Sequence, residues 1–158
     1  MQIIKPPTTD LEIQDSLPII FLAGSIEQGS ASNWQDKLQN RLSNLSGFIL
    51  NPRRDDWDST WAQVKENPNF EGQVLWELDG LSESDIIVMY FDPDTKSPIT
   101  LLELGLFAES GKLIVCCPKG YWRYGNVDIV CREYSIPLYN DFEQFADRII
   151  LEISDFTH

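Results

Sequence analysis

Histidine is almost missing from this chain: among 158 residues the only one is His158, the last. Ser-His-Asp and Cys-His nucleophile systems need an imidazole beside the nucleophile, and most zinc sites need one as a ligand, so these classes are excluded. Cysteine is scarce too. Cys116, Cys117 and Cys131 are an odd count without metal-ligand spacing, and they read as reduced thiols, two of them in a buried strand. Positive charge is thin: 12 lysines and arginines stand against 25 acids, a formal net charge of −13. Such a chain repels a phosphate backbone, and no basic stripe with interleaved aromatics offsets this, so a nucleic acid polymer is not expected as a partner. No apolar run is long enough to span a bilayer, and Met1 to Pro7 lack the charged and apolar regions of an export signal. The expectation is a cytoplasmic protein with no membrane contact. Neither G-x-G-x-x-G nor G-x-x-x-x-G-K-[ST] occurs, which removes the dinucleotide fingerprint and the P-loop. If the chain is an enzyme, carboxylates, tyrosines and backbone dipoles must do the chemistry.

What the chain does have is alternation. Residues 1–16 are polar and proline-bearing and read as a loose arm before one domain over 17–158. Leu17 to Ala23 is an apolar strand ending in Gly24-Ser25. Trp34, Leu38, Leu42 and Leu45 follow helical spacing, with cap candidates in Gln28 to Ser32. Phe48 to Leu50 is a short strand. Asn51 to Asn69 exceeds the usual connection length and favours a functional loop. Phe70 to Ser84 reads as a helix with Val74, Leu78 and Leu81 inward. A strand buried on both faces starts at Asp85 and runs into Asp92-Pro93-Asp94. A helix follows from about Thr100 to Ser110, with Glu103 in its first turn and Gly111 as its stop. Lys112 to Cys117 is a further buried strand, Val127 to Tyr134 fits helix or strand, Ile136 to Tyr139 fits an edge strand, and Phe142, Phe145, Ile149 and Ile153 make the stripe of a last helix. The pattern predicts an α/β fold: a flavodoxin-like doubly wound sheet of about five mainly parallel strands with helices on both faces.

In such sheets ligands sit beyond the carboxyl ends of the strands. Asp92, Ser97 and Glu103 should therefore crowd the place of chemistry. Each has a plainer reading. Thr100 and Glu103 have the spacing of a capping box, in which the carboxylate folds back on the helix start. Against that stands a base or nucleophile held ionised by the helix dipole. Glu77 and Asp79 lie two apart on one helix and point to different faces, so one can face a cleft and the other solvent. Asp92, Asp94 and Ser97 suit turns beside Pro93 and Pro98. Gly24-Ser25 lets backbone amides approach an anion or sugar. Arg53 and Arg54 can grip phosphate or pair with Asp55, Asp56 and Asp58. Trp57 and Trp61 can stack on a base or fill an interface.

Ala23-Gly24-Ser25-Ile26, Asn51-Pro52-Arg53-Arg54, Gln73-Val74-Leu75-Trp76-Glu77-Leu78 and Ser97-Pro98-Ile99-Thr100-Leu101-Leu102-Glu103-Leu104-Gly105 together resemble the nucleoside 2-deoxyribosyltransferase-like family. The match runs in order from about Ile19 to Val115. The resemblance implies cleavage of N-glycosidic bonds. It makes Glu103, of the Glu-Leu-Gly element, the nucleophile, and puts Glu77 in the place of a proton-transferring acid on the helix before the strand. It has Ser97, six residues before the nucleophile, contact the sugar or assist the leaving base, with Asp92 as a helper. Gly24, Ser25, Asn51, Arg53, Trp57 and Asp79 are the expected substrate-binding residues. Departures from the classical transferases fall at Ile99, where those carry glycine, at Phe107, where they carry a small residue, and at Gly24-Ser25-Ile26, where they carry an aromatic just after the first strand.

The implied activity is base exchange on a (2-deoxy)ribonucleoside through a covalent glycosyl-Glu103 intermediate. Water as acceptor would instead make the protein a nucleoside or nucleoside 5′-monophosphate hydrolase. The changes at Ile99 and Phe107 motivate a third reading, a nucleotide-binding or sensing module without turnover, and the fold alone leaves a flavoprotein as a weaker fourth. Expected partners are a nucleoside or nucleotide and a free base, with no metal and no cofactor. A homodimer or higher homo-oligomer is expected, with a neighbour's loop closing the site.

Overall fold

The computed structural model describes residues 1–9, 16–26 and 31–156. Their element order is β1 (Gln2–Ile4), β2 (Ile19–Gly24), α1 (Trp34–Leu42), β3 (Phe48–Leu50), α2 (Pro68–Glu83), β4 (Ile86–Tyr90), α3 (Pro98–Phe107), β5 (Leu113–Cys116), α4 (Tyr124–Glu133), β6 (Leu138–Tyr139) and α5 (Phe142–Phe156). The strands form one open sheet of six, ordered β1-β3-β2-β4-β5-β6, and every pairing is parallel. This is a doubly wound α/β fold. Chain progression reverses between β2 and β4: β2 leads outward to β3, and the chain then crosses back over β2 to reach β4. That reversal opens a crevice at the carboxyl ends of β2 and β4, where ligands bind in such sheets.

The central strands are apolar on both faces because helices cover both. On one face Phe21, Ala23, Ile87 and Met89 pack against Leu81 of α2, Leu104 of α3 and Val127 of α4. On the other, Ile20, Leu22 and Val88 meet Trp34, Leu38 and Leu42 of α1 and Phe145, Ile149 and Ile153 of α5. Burial on both faces accounts for continuous rather than alternating apolar runs.

Several expectations need correcting. Gln2–Ile4 is no loose arm. It forms a parallel edge strand on β3, with Ile4 opposite Leu50 and buried, and it supplies the sixth strand. Asn33, not a residue of 28–32, caps α1, its side chain accepting from Asp36 N; residues 28–30 lie outside the described residues, as does His158. The segment 127–133 is helical, and Tyr134 caps it. Helix α2 buries Gln73, Gly80 and Leu81, while Val74 and Leu78 face outward. Gly80 sets this rotation: a Cβ there would lie 2.8 Å from the Phe21 ring, so only glycine lets that ring sit against the helix. Helix α3 starts at Pro98 with Ser97 as its N-cap, and its first turn holds no acid.

Candidate active site

That last boundary decides between the two readings of Glu103. A capping box requires Thr100 at the cap and Glu103 three residues on. Here Ser97 is the cap, Thr100 stands third in the helix and Glu103 sixth, too deep to reach back to the helix start. Among the described residues nothing donates a hydrogen bond to the Glu103 carboxylate. It is nonetheless buried, 8% exposed, on the side of α3 that carries Leu104 into the core. Burial, and after it the charge of Glu77, pushes its pKa up to about 8. Glu77 on α2 is therefore close enough for its charge to be felt. Desolvation raises Glu77 as well, to about 7, against the opposing pull of one hydrogen bond, 2.7 Å from Gln73 Nε2. Gln73 is held in turn by the Pro52 carbonyl at 3.1 Å, which fixes its amide with nitrogen toward both acceptors. Two carboxyl groups with little solvation, one on α2 and one on α3, thus lie within electrostatic reach of each other. Such a pair resists double ionisation and keeps a proton near neutrality.

The crevice floor is made of hydroxyls. Ser25, directly after β2, accepts from Asp92 N at 2.8 Å, and its Oγ lies 2.5 Å from Ser97 Oγ and 3.1 Å from Thr95 Oγ1. Thr95 and Ser97 hydroxyls are 2.7 Å apart. All three residues are buried. Gly24 brings Ser25 there: its φ is +135°, and a Cβ would meet Tyr90 O at 2.3 Å. The glycine answers first to the neighbouring strand and only through it to a ligand.

Asp92 is tied down. Burial alone would raise its pKa, but the amides of Asp94 and Ser32 and the Ser32 hydroxyl, at 3.0, 2.9 and 2.7 Å, hold it below the ordinary value. It anchors the segment before α1 to the loop after β4 and has little capacity left for a proton. Arg53 reinforces that anchor by donating to Ser32 O, Ala31 O and Gln35 Oε1, and Asn51 Oδ1 accepts from Arg53 N at 2.9 Å. The pairing with neighbouring acids is thus realised for Arg54, which grips Asp56 at 2.8 Å, and not for Arg53. Trp57 and Trp61 meet edge to face at 5.1 Å, with the Arg54 guanidinium 5.1 Å from the Trp61 ring centre.

Asp79 is the site candidate set furthest apart. It is exposed and lines a cavity of about 560 Å³ between Pro6–Thr9 and α2, with Trp76 and Gln73, and no α3 residue borders that cavity. The structure therefore joins Ser25, Ser97 and Asp92 by hydrogen bonds beyond β2 and β4, sets Glu77 within electrostatic reach of Glu103, and places Asp79 on a separate cavity beside α2. The sequence assigned no role to Gln73 or Thr95, and Ser32 only a place among the cap candidates before α1. The spacing of Gln73 to Glu77, four residues on a helix, was the one available signal. Among the described residues no cluster of three or more His, Cys, Asp or Glu side chains is arranged to hold a metal, and no helix is long and apolar enough to cross a membrane.

Residues 18–121 match the model of a protein family described as nucleoside 2-deoxyribosyltransferase like. That span includes β2, α2, β4 and α3, and so every member of the crevice. The chain is also similar to the fatty acid oxidation complex subunit alpha of Idiomarina loihiensis, 31% identical over 104 residues, which are 66% of this chain but 13% of that protein. It therefore spans about an eighth of the length of that curated relative. A crystal structure of a conserved protein from Enterococcus faecalis V583 superposes with a TM-score of 0.61, covering 86% of this chain and 99% of that one at 13% identity, a likeness of fold.

Proposed function

The chain belongs to the nucleoside 2-deoxyribosyltransferase-like family, and from that premise we propose that it transfers the sugar of a (2-deoxy)ribonucleoside between bases through a covalent glycosyl-Glu103 intermediate. The observation that carries this reading is the pairing of buried Glu103 on α3 with half-buried Glu77 on α2, close enough for one charge to act on the other, with the Glu103 carboxylate taking no hydrogen bond from the described residues. A carboxylate engaged by its own backbone would be a poor nucleophile; an unengaged one keeps its lone pairs for carbon.

Near neutrality the two carboxyl groups hold a proton between them, with Gln73 hydrogen-bonded to Glu77. Passing that proton to Glu77 arms both groups at once. Glu103 Oε then bonds the anomeric carbon, the C–N bond breaks with its electron pair going to the base, and Glu77 gives the base the proton. In the second half an incoming base attacks from the vacated side, its N–H proton returns to Glu77 and the Glu103 ester bond breaks. The logic is that of two carboxyl groups in different environments, as in retaining glycosidases. Ser97 contacts the sugar, Trp57 stacks on the base, and the Gly24-Ser25 turn shapes the floor. Asp92 acts by holding the loop that carries Ser97.

Incubating a 2′-deoxynucleoside with and without a second free base, and separating products by chromatography, tests the reading. A new nucleoside formed only with the second base is the expected result. Free base released without an acceptor assigns the same site to a hydrolase, and the absence of both products overturns catalysis in favour of a binding module.

A homodimer belongs to the same reading. Val74, Leu75 and Leu78 of α2 and Ile99, Leu102 and Leu106 of α3 are exposed on neighbouring helices, with Ile99, Leu102 and Leu106 each 57–59% accessible. Apolar faces of this kind mark contact surfaces. Light scattering is expected to give twice the chain mass for the native protein and a single chain mass for the L102E/L106E double variant.

A further inference from the structure

Ser97 has a backbone that serine seldom takes, φ +46° and ψ +56°. It does so directly before Pro98, whose ring drives the preceding residue toward extended geometry. A left-handed residue with a Cβ is strained, and it persists only where surrounding bonds over-determine it. Two sets of bonds do so here. Inside the loop, Thr95 Oγ1 donates to Asp92 O at 2.9 Å and stands 2.7 Å from Ser97 Oγ. From outside, the carbonyl of Lys96, in the peptide group that ends at Ser97 N, accepts from Tyr121 Oη at 2.6 Å and from Trp122 Nε1 at 3.0 Å. A carbonyl oxygen has two lone pairs, and aromatic donors of the β5–α4 connection take both. Fixing that peptide plane against the start of α3 fixes φ of Ser97.

The two donors are themselves held. The Tyr121 ring packs on Phe91 at 4.9 Å between centres and is 2% exposed. Trp122 is 46% exposed, yet the Lys96 ammonium and the Arg123 guanidinium lie 4.4 and 4.3 Å from its ring centre. A carbonyl on a partly exposed loop can be satisfied by water, so two donors from adjacent aromatic residues exceed what solvation alone demands.

We propose that Tyr121 and Trp122 are positioning residues whose paired hydrogen bonds to the Lys96 carbonyl hold Ser97 left-handed, so that its hydroxyl stands at the head of α3 in the crevice. The inference rests on the reading above only in what Ser97 contacts, the substrate sugar.

Tyr121→Phe and Trp122→Phe each keep the ring and remove one donor. Thermal unfolding of each is compared in three backgrounds: native Ser97, S97A and S97G. Glycine takes the left-handed region freely and alanine does not, and both lack the hydroxyl, so the last two backgrounds isolate the backbone. The Tm loss from Y121F is expected in the serine and S97A backgrounds and to shrink by at least half in S97G. Equal losses in all three make Tyr121 a packing residue and overturn the proposal. In the native background KM for a 2′-deoxynucleoside is expected to rise about fivefold to tenfold with kcat within about twofold; an unchanged KM overturns the link to substrate. Wild-type protein without turnover defeats the proposed reaction, while the unfolding comparison still decides what holds Ser97.

Discussion

Replacing Glu103 by glutamine is expected to abolish base exchange, with a fall in kcat of about 10⁴-fold or more, because removal of a nucleophile takes away the covalent path rather than one stabilising contact. Glutamine has nearly the shape of glutamic acid, and Glu103 takes no hydrogen bond from the described residues that the amide would break. The fold therefore survives, and circular dichroism and gel filtration should match the wild type. Glu77→Gln should differ in kind. It leaves the nucleophile and removes the group that returns the proton to the base, a contribution of roughly 10²- to 10⁴-fold. Its loss should be smaller for substrates whose base leaves readily without protonation. Trapping a glycosyl-enzyme by mass spectrometry in E77Q, and failing to trap one in E103Q, would separate the two roles. Wild-type exchange in E103Q would remove Glu103 from the reaction.

Much of this site was legible in the sequence because it stands on short local signals. The apolar run from Ile86 to Tyr90, the glycine that ends β2 and the Glu-Leu-Gly element are local signals, and the structure puts them in β4, in β2 paired to it, and in α3. What was not legible depends on packing between elements distant in the chain. The capping-box reading of Thr100 and Glu103 failed because Pro98, favoured at a helix start, opens α3 earlier than Thr100 would. Asp92 looked available as a helper acid because nothing local shows that Ser32, sixty residues earlier, closes on it. The arginines were indistinguishable in sequence, and the structure sends Arg54 to its own neighbour and Arg53 across to the segment before α1. Helical periodicity put Val74 and Leu78 inward. An exposed apolar face resembles a core face in sequence, since both are apolar stripes, and Gly80 against Phe21 shows which side of α2 meets the sheet.

The carboxyl pair of the proposed reaction should also leave a mark on stability. Both acids have pKa values above the ordinary 4.5, about 7 for Glu77 and about 8 for Glu103, because burial disfavours their charged forms and Glu77's charge adds to the burden on Glu103. The folded protein therefore binds more protons than the unfolded chain between about pH 4.5 and 8, and stability falls as pH rises through that window. Asp92 works in the opposite direction: with its folded pKa below the ordinary value, it contributes stability that is lost as pH falls through that lower value. Tm against pH should thus peak in mildly acid solution and decline toward pH 9. In E103Q the alkaline decline should shrink, since no second charge has to form beside Glu77. At about 1.36 kcal/mol per unit, the variant should gain on the order of 4 kcal/mol over wild type at pH 9, a Tm difference of roughly 10 °C for a chain of this size, and should match it near pH 5. Differential scanning calorimetry across pH 4–9 reads this directly. Parallel curves for the two proteins would mean that Glu103 ionises in contact with water, and a carboxylate so solvated would not be the desolvated nucleophile that the reaction requires.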